Sequence, residues 1–349
     1  MNIKKAMLHI CLIAILLLLP GCSILDGGGS AAHLGMQAIE EGDYDKALEI
    51  FEGAEKGSAN KELLYRGRGI ALMGKSDYKG AVAAFKEALS HAPGRIRDLE
   101  YDISFYLAVA EFRSGNAEAA KDTCSAILDL DRKNSNAFFL RGKAELSTGD
   151  TDHALRDFAA AIRFNSEDPD LYIDIYESLT AADMADDGES YLKSAMELTK
   201  LSDFQKGKLA YWMEDYERAK QALEGSRGDD SDPAVILYLG RTYEALGDKS
   251  YAASLYKTYL KDNPGDVGIC NQLGLCELDV GDYGSALKAF EQGLSNGGGN
   301  IVQSLKFNQI VAYEYLSDFK KATVLMEAYL KDYPDDEVAK REYAFLSTR

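Results

Sequence analysis

The sequence predicts an all-α protein built as a solenoid of repeated helix pairs, because three series of residues recur about every 34 positions. The first series is small: Ala47, Ala81, Ala120, Ala154, Gly188, Ala219, Ala252, Ala286 and Ala322. Twelve residues upstream lies a second small series, interrupted by Tyr176 and Ile310: Gly35, Gly69, Ala108, Gly142, Gly207, Gly240 and Gly274. Four residues downstream of the first series lie larger side chains: Phe51, Phe85, Cys124, Phe158, Leu192, Leu223, Tyr256, Phe290 and Met326. Small residues let two helices approach closely, and large ones fill the space beside that contact.

Each unit of this period contains two predicted helices and a turn. In residues 236–262, apolar side chains recur three and four positions apart on either side of Gly247-Asp248, a pair that breaks a helix. Asp, Ser or Pro stands where many first helices begin, as at Ser135, Asp232 and Asp266. The units are predicted to begin near residues 28, 62, 101, 135, 169, 200, 233, 267 and 303. Each pair exposes an apolar face that only its neighbours cover, so stability should accumulate along the array.

Residues 335–349 predict one further amphipathic helix after the ninth unit. Its apolar face is assigned to Val338, Tyr343, Ala344 and Leu346, with Lys340 on the polar side. We expect this helix to cap the open end of the array.

Two units carry a resemblance to a known repeat. The first reads Leu239-Gly240, Tyr243, Gly247-Asp248, Ala252, Tyr256 and Pro264. The second reads Leu273-Gly274, Gly281-Asp282-Tyr283, Ala286 and Phe290. These residues resemble the tetratricopeptide repeat (TPR), whose unit has Leu-Gly, a Tyr, Gly-Asp-Tyr, Ala, an aromatic and a closing Pro at this spacing. The resemblance extends over nearly all of the chain after Gly29.

The resemblance implies antiparallel helix pairs stacked into a right-handed superhelix, with a concave face lined by the first helix of each pair. It implies protein binding and no particular reaction. Two units depart from the pattern. The fifth has Tyr176 at the position of close approach and Gly188 where Ala is expected, and the sixth is three residues short.

Inward-facing residues follow from the same resemblance. In TPR folds they occupy the second, fifth, ninth, twelfth and thirteenth positions of the first helix. Carried onto this chain, these positions give a basic and aromatic set: Arg66, Phe105, Phe112, Phe139, Lys143, Phe204, Lys208, Tyr211, Trp212, Arg241, Phe307 and Tyr315. Such a set suits an extended peptide with carboxylates and bulky side chains. The alternative is that some of these aromatics belong to the core and the cations are merely solvated. The Lys/Asn/Arg carboxylate clamp of cochaperone TPR domains does not occur at matching positions.

The first residues predict an exported lipoprotein. Lys4 and Lys5 precede an uncharged apolar run at residues 6–19, which is short for a membrane span. The following Leu19-Pro20-Gly21-Cys22 resembles the bacterial lipobox, in which the cysteine receives diacylglycerol. The predicted division is a signal peptide at 1–21, lipidated Cys22 with a flexible tether at 22–32, and the solenoid at 33–349. The alternative is an ordinary cleaved signal with an incidental cysteine.

A lipid on Cys22 would hold the protein at the extracytoplasmic face of the cell membrane. Ser23 does not provide the Asp-type signal for retention in the inner membrane. If the cell has two membranes, the outer membrane is therefore also a possible location for the protein.

The charge of the chain argues against nucleic acid as a partner. The 39 basic and 57 acidic residues give a net charge of −18, and removal of the signal makes it more negative. An acidic surface repels phosphates and anionic lipids. Cys124, Cys270 and Cys276 fall at predicted core positions. Cys270 and Cys276 are six residues apart on one predicted helix and point to different faces, so they are not expected to pair.

Catalysis, metals and cofactors are not predicted. Residues 69–76 match the phosphate-binding pattern G-x-x-x-x-G-K-[S/T], but they also fall within a first helix and its turn in the repeat register. A helical segment cannot wrap a phosphate, so we expect no nucleotide there. The three histidines of the mature chain stand outside H-E-x-x-H and similar metal motifs, and no nucleophile is placed beside a base.

The sequence therefore favours a lipid-anchored, extracytoplasmic TPR scaffold that binds proteins or peptides of the cell envelope through its concave groove. The alternative is a structural or assembly subunit of an envelope complex that acts through its convex face or its ends. An enzyme is the third and weakest hypothesis.

Overall fold

The computed structural model describes residues 31–57, 60–94, 96–228, 232–297 and 301–349. All regular secondary structure in these ranges is helical, which confirms the predicted all-α class. The helices are α1 (Ala31–Glu40), α2 (Tyr44–Ala54), α3 (Lys61–Gly74), α4 (Tyr78–Ser90), α5 (Asp98–Arg113), α6 (Ala117–Leu130), α7 (Ser135–Ser147), α8 (Thr151–Phe164), α9 (Pro169–Ala181), α10 (Ala185–Met196), α11 (Asp203–Trp212), α12 (Tyr216–Gly225), α13 (Pro233–Ala245), α14 (Lys249–Asp262), α15 (Val267–Val280), α16 (Tyr283–Ser295), α17 (Val302–Tyr315), α18 (Phe319–Asp332) and α19 (Glu337–Leu346).

Helices α1–α18 form nine consecutive pairs, and α19 follows the ninth. The first helix of each pair begins within three residues of the start that the sequence predicts. The chain divides into two compact units, an N-terminal unit whose described residues end at Gln205 and a C-terminal unit that begins at Lys206. Within each unit, first helices of neighbouring pairs touch, as α5 does with α7 and α15 does with α17. The side chains of these first helices are therefore brought side by side.

The predicted packing series forms the core. All nine members of the first small series are buried, and so are all nine larger residues four positions downstream. Each glycine of the other series lies against the larger residue of its own pair. A Cβ added to Gly142 would lie 2.8 Å from Cε1 of Phe158, and one added to Gly207 would lie 2.6 Å from Cγ of Leu223. These distances are shorter than van der Waals contact, so only glycine fits without displacing its neighbour.

In the fifth pair, α9 and α10, the large and the small residue at the helix contact exchange places. Its first helix carries the large Tyr176, and its second carries Gly188. A Cβ on Gly188 would lie 3.0 Å from Cδ2 of Tyr176 and 3.3 Å from its carbonyl oxygen. The departure from the repeat pattern is thus compensated within the pair.

A left-handed residue forms the turn inside every pair. Glycine occupies five of the nine positions, and Ser76, Asp183, Glu214 and Ser317 occupy the others with φ between 59° and 61°. The residue that follows caps the second helix in most pairs, as Asp77 does by accepting a hydrogen bond from the backbone N–H of Gly80 at 2.9 Å. Of the segment that matches the phosphate-binding pattern, residues 69–74 lie in α3 and Ser76 is this turn residue.

The predicted C-terminal helix is present as α19, but part of its predicted apolar face is wrong. Ala339 and Leu346 are buried against α17 and α18, and Tyr343 packs beside them. Val338 is 47 % exposed and Ala344 is also exposed. The contact stripe follows positions 339, 343 and 346, and a shift of one residue turns a side chain by about 100° away from such a stripe.

We expect Glu314→Gln to stabilise the protein above pH 7. Burial, followed by the neighbouring carboxyl of Glu342 on α19, raises the pKa of Glu314 from 4.5 to about 7. The folded state holds this proton more tightly than the unfolded chain. The stabilisation from Glu314 is therefore complete below about pH 4.5 and is lost as the pH rises through about 7.

The gain in the free energy of unfolding should be on the order of 1 kcal/mol at pH 8, after screening by solvent, and close to zero at pH 4. Thermal unfolding of the wild type and of Glu314→Gln at pH 4 and at pH 8 measures this gain. Glu342→Gln should show a smaller gain with the same pH dependence, because it removes the neighbouring carboxylate but leaves Glu314 buried. A difference that does not vary with pH would contradict the assignment.

Within the described ranges, no helix combines the length and the apolar composition that crossing a membrane requires.

Candidate functional site

The twelve residues predicted to face inward all lie on first helices of pairs. They lie on α3 (Arg66), α5 (Phe105, Phe112), α7 (Phe139, Lys143), α11 (Phe204, Lys208, Tyr211, Trp212), α13 (Arg241) and α17 (Phe307, Tyr315). Eleven are half-buried, and Tyr315 is 54 % exposed. The structure brings them into separate groups, which are described within their own units.

Lys143 is the centre of the group in the N-terminal unit. Its ammonium nitrogen lies 5.8 Å from the ring centroid of Phe112 and 5.3 Å from that of Phe139. The Phe139 ring is itself held against buried Phe158, with centroids 5.9 Å apart. Helices α5 and α7 thus place one cation between two aromatic faces, an arrangement that attracts the cation through the ring quadrupoles.

The environment of Lys143 disfavours its charge. Burial lowers the pKa of the Lys143 ammonium, and the nearby guanidinium of Arg113 lowers it further. Asp174 and Glu177 act in the opposite direction. Among the described residues, no side chain or backbone group forms a hydrogen bond or an ion pair with Nζ of Lys143. Its three donors therefore remain available to a ligand.

Three residues near Lys143 were not singled out from the sequence. Arg113 and Glu177 occupy the thirteenth and ninth positions of their helices, which are both inward positions in the repeat register. Arg113 is basic and meets the criterion of the predicted set, so the register alone would have found it. Glu177 would have been found by applying the register without selecting basic and aromatic residues. Asp174 lies at the sixth position, which is not an inward position in the repeat register, so the register did not predict it.

Arg66 and Phe105 interact mainly within the protein. The Arg66 guanidinium forms an ion pair with Asp102 and lies 5.6 Å from the ring centroid of Tyr106. Phe105 packs against core residues of α6 and α7, including Ile127 and Leu140. Both link α5 to its neighbours.

The C-terminal unit contains an aromatic cluster of Tyr211, Trp212, Tyr216 and Tyr238. The centroid of Tyr211 lies 5.8 Å from those of Trp212 and Tyr216 and 5.5 Å from that of Tyr238, all in edge-on geometry. The indole N–H of Trp212 donates a hydrogen bond to the Tyr238 hydroxyl at 3.3 Å. Lys208 places Nζ 5.4 Å from the Tyr238 centroid. Burial raises the pKa of Tyr211 to about 12, so its hydroxyl stays protonated at physiological pH.

Arg241 lies in a polar network beside this cluster. Its guanidinium donates hydrogen bonds to Oε1 of Gln272 at 3.3 and 3.4 Å. The Gln272 amide donates to Glu244, which also accepts a hydrogen bond from Tyr256 at 2.8 Å. Burial raises the pKa of Glu244 despite these donors. Arg241 therefore ties α13 to α15.

Phe307 and Tyr315 lie on α17. The Phe307 ring packs on Tyr329 at a centroid distance of 5.8 Å, and that of Tyr315 stacks on Tyr283 at 4.8 Å. Phe204 lies on α11, just before the boundary between the two units. Phe204 is the predicted inward residue nearest the end of the N-terminal unit.

The three cysteines of the described chain are buried. Burial raises the pKa of Cys124 and Cys276 to about 12 and that of Cys270 to about 11, so these thiols are protonated and unreactive. In the same part of the chain, no three His, Cys, Asp or Glu side chains are grouped to hold a metal ion.

Models of the tetratricopeptide repeat match this chain at residues 33–96, 72–143 and 204–267. The matched stretches together cover half of the chain.

Similar curated proteins include the peptidyl-prolyl cis-trans isomerase FKBP4 of Bos taurus and the BBSome complex member BBS4 of Xenopus tropicalis. The first is 26 % identical over 137 residues, which span 34 % of this chain and 28 % of FKBP4. The second is 27 % identical over 133 residues, which span 38 % of this chain and 24 % of BBS4. The chain therefore spans about a quarter of the length of these relatives.

A solved tetratricopeptide repeat protein from Parabacteroides merdae is among the structures similar to this chain. Its TM-score is 0.43 at 16 % identity, and the alignment covers 74 % of this chain and 98 % of that one.

Proposed function

Because this chain belongs to the tetratricopeptide repeat family, we propose that it is a scaffold that binds a peptide segment of a partner protein on its first helices. One observation carries this proposal: the Lys143 ammonium, held between Phe112 and Phe139, has no acceptor within the described chain. A carboxylate of the peptide would supply both the acceptor and the countercharge. An apolar side chain beside that carboxylate would pack on the two rings.

The surroundings of Lys143 define which peptide fits. Arg113 adds a second positive charge, and Asp174 and Glu177 place negative charge on the neighbouring helix α9. A peptide with a carboxylate over α5 and α7 and a basic group toward α9 matches this arrangement. Opposite charges at the two ends would fix the direction in which the peptide lies.

The aromatic cluster around Trp212 supports a second contact surface in the C-terminal unit. Tyrosine and tryptophan are enriched where proteins bind one another, because they combine large apolar area with a polar edge. In this region Trp212 and Lys208 are both half-buried residues.

We also propose that the scaffold is anchored at the extracytoplasmic face of the cell membrane through a lipid on Cys22, where its partners would be envelope proteins. This part rests on Leu19-Pro20-Gly21-Cys22 and the apolar run before it. These residues lie outside the described part of the structure.

We expect Lys143→Glu to weaken binding of a partner peptide by about 10-fold to 100-fold, since a charge-assisted hydrogen bond contributes about 1.5–3 kcal/mol. Partners would first be captured with the native protein from membranes, and their segments would then be synthesised as peptides. Calorimetric titration at several salt concentrations would measure the affinity. The salt dependence should fall in the variant, because one ionic contact is lost.

Lys133→Glu is the matched control, because Lys133 is exposed before α7 and the substitution makes the same change in net charge. It should bind as the wild type does. Equal affinities of the two variants would contradict binding at Lys143. The alternative of an assembly subunit that acts through its convex face or ends would then be favoured.

A further inference from the structure

The N-terminal unit has a polar pocket that the proposed binding face does not use. Its volume is about 320 Å³, at the lower end of the range for small-molecule sites. Side chains of α6, α7 and α8 line it, together with Asp150 in the turn before α8. Glu145, which lines the pocket from α7, lies two positions after Lys143 and is therefore turned by about 200° around the helix axis from that lysine. The pocket and the proposed peptide site lie on different sides of α7.

Glu145 brings a buried carboxyl group without a partner to this pocket. It is 8 % exposed, and its buried Oε2 receives no hydrogen bond from the described part of the chain. Burial, followed by the charge of Asp157, raises the pKa of Glu145 from 4.5 to about 7. Arg141 and His153 act in the opposite direction without reversing the shift. A buried carboxylate without a donor is unfavourable, so a ligand that donates a hydrogen bond to it would be stabilised.

Two other repeats provide a cation at the corresponding place. Glu111 and Glu277 lie three residues after the second small series, as Glu145 does. Glu111 forms an ion pair with Lys86 at 2.9 Å, and Glu277 forms one with Lys257. Both lysines lie five residues after the first small series, on the second helix of the preceding pair. The two positions therefore meet between neighbouring pairs.

Two further repeats confirm that these positions meet. They hold a tyrosine on the first helix and a glutamate on the preceding second helix. Tyr243 donates a hydrogen bond to Glu224 at 2.7 Å, and Tyr313 donates one to Glu291 at 3.3 Å. In all four repeats the polar side chain of the first helix has its partner at this position of the second helix.

Ser125 occupies the position of the lysine on α6, five residues after Ala120. Its hydroxyl accepts a hydrogen bond from Arg141 at 3.1 Å. Serine is much shorter than lysine and has no charge, so the Glu145 carboxyl is left without a cation from α6. The pocket thus offers the place that a lysine ammonium fills in two other repeats.

Six further residues that line the pocket are charged or ionisable, and five of them are paired. The pairs are Arg141 with Asp157 at 2.6 Å, Lys121 with Glu118 at 2.7 Å and His153 with Asp150 at 2.8 Å. The sixth, Arg156, is exposed and forms no hydrogen bond or ion pair within the described chain. One charge of each sign, on Glu145 and on Arg156, is therefore available to a ligand.

We propose that this pocket binds a small zwitterion, such as an amino acid. The ammonium group of the ligand would donate to Glu145, in the place that Lys86 and Lys257 take in their repeats. Its carboxylate would accept hydrogen bonds from the guanidinium of Arg156. A ligand with a single charge would satisfy one of the two groups, and opposite charges at the two ends would fix the orientation of the ligand.

Titration calorimetry of the full chain with ω-amino acids of increasing length, from glycine to 6-aminohexanoate, tests the proposal. The titrations are made at pH 8, where Glu145 is largely ionised. We expect one ligand to bind per chain. The tightest member of the series should bind at least tenfold more tightly than the alkylammonium and the alkanoate with the same number of carbon atoms. Equal binding of the alkylammonium, or no binding by any member of the series, would overturn the proposal.

Ser125→Lys tests the location of the ligand. It places on α6 the lysine that pairs with the buried glutamate in two other repeats, so it should abolish binding of the zwitterion. Glu145→Gln keeps the shape of the side chain and removes its charge, and it should weaken binding at least tenfold. Glu49→Gln is the matched control, because Glu49 is exposed on α2 and the change in net charge is the same. It should bind as the wild type does.

Arg156→Gln tests the other end of the ligand. It should weaken binding of the zwitterion about tenfold and leave binding of the alkylammonium no weaker than before. Undiminished binding of the zwitterion by Glu145→Gln or by Arg156→Gln would overturn the proposal. Both variants replace a charged side chain with a neutral one of similar shape, so these results do not depend on how Ser125→Lys folds.

Discussion

Replacing Gly142 with alanine is expected to lower the free energy of unfolding by about 1–3 kcal/mol. The new Cβ would lie 2.8 Å from Cε1 of Phe158 and 3.2 Å from the carbonyl oxygen of Ala154. Phe158 is completely buried in a cluster with Ala154, Leu171 and Ile175, so its ring has no free space to move into. The backbones of α7 and α8 must therefore separate, and every contact beside the glycine is weakened.

Gly53→Ala is the matched control, because Gly53 is also a helical glycine of the N-terminal unit and no atom lies within 4 Å of its added Cβ. Alanine favours the helical backbone over glycine, so this variant should be stabilised by up to about 1 kcal/mol. Urea unfolding measures the free energy of unfolding of both variants, which should fall for Gly142→Ala and rise for Gly53→Ala relative to the wild type.

Hydrogen exchange locates the damage in Gly142→Ala. In a repeat array each pair contacts only its neighbours, so exchange should rise in α7–α9 and stay unchanged in α1 and α2. Phe158→Leu in the Gly142→Ala background should recover part of the loss, because it frees space at the contact. Equal stability of Gly142→Ala and Gly53→Ala would contradict the packing role assigned to the glycine series.

The fold could be predicted from the sequence because close helix contacts restrict residue size at a fixed spacing. Gly240 and Tyr256, for example, belong to one pair and lie sixteen residues apart, as Gly142 and Phe158 do. The exchange of sizes at Tyr176 and Gly188 was visible as two departures, but the sequence did not show that they compensate each other. Which atoms meet depends on the rotation of α9 against α10, and residue sizes alone do not predict that rotation.

The candidate site was predicted less completely. The register placed all twelve residues on first helices, but it did not show which of them are engaged by other side chains. Arg66 pairs with Asp102 and Lys143 lies against Phe112, and in both cases the partner comes from a neighbouring repeat. Such contacts depend on side-chain conformation and on the offset between adjacent pairs.

Replacing Cys22 with alanine is expected to abolish lipid labelling of the protein completely. The proposed diacylglycerol would be attached through the sulfur atom of Cys22, and alanine offers no nucleophile in its place. Metabolic labelling with a fatty-acid probe, followed by separation of membranes from soluble protein, measures both lipidation and anchoring. Without the lipid, the chain should lose its firm attachment to the membrane or should retain residues 1–21 unprocessed.

Cys11→Ala is the matched control for Cys22→Ala. Cys11 lies within the apolar run of the predicted signal, so its removal takes away one thiol and leaves Leu19-Pro20-Gly21-Cys22 intact. Labelling and membrane attachment should then equal those of the wild type. If Cys22→Ala is labelled as strongly as Cys11→Ala, the lipobox interpretation is wrong and an ordinary cleaved signal explains the first residues. Partner binding at Lys143 is measured with purified protein and does not depend on that result, because the two proposals use different parts of the chain.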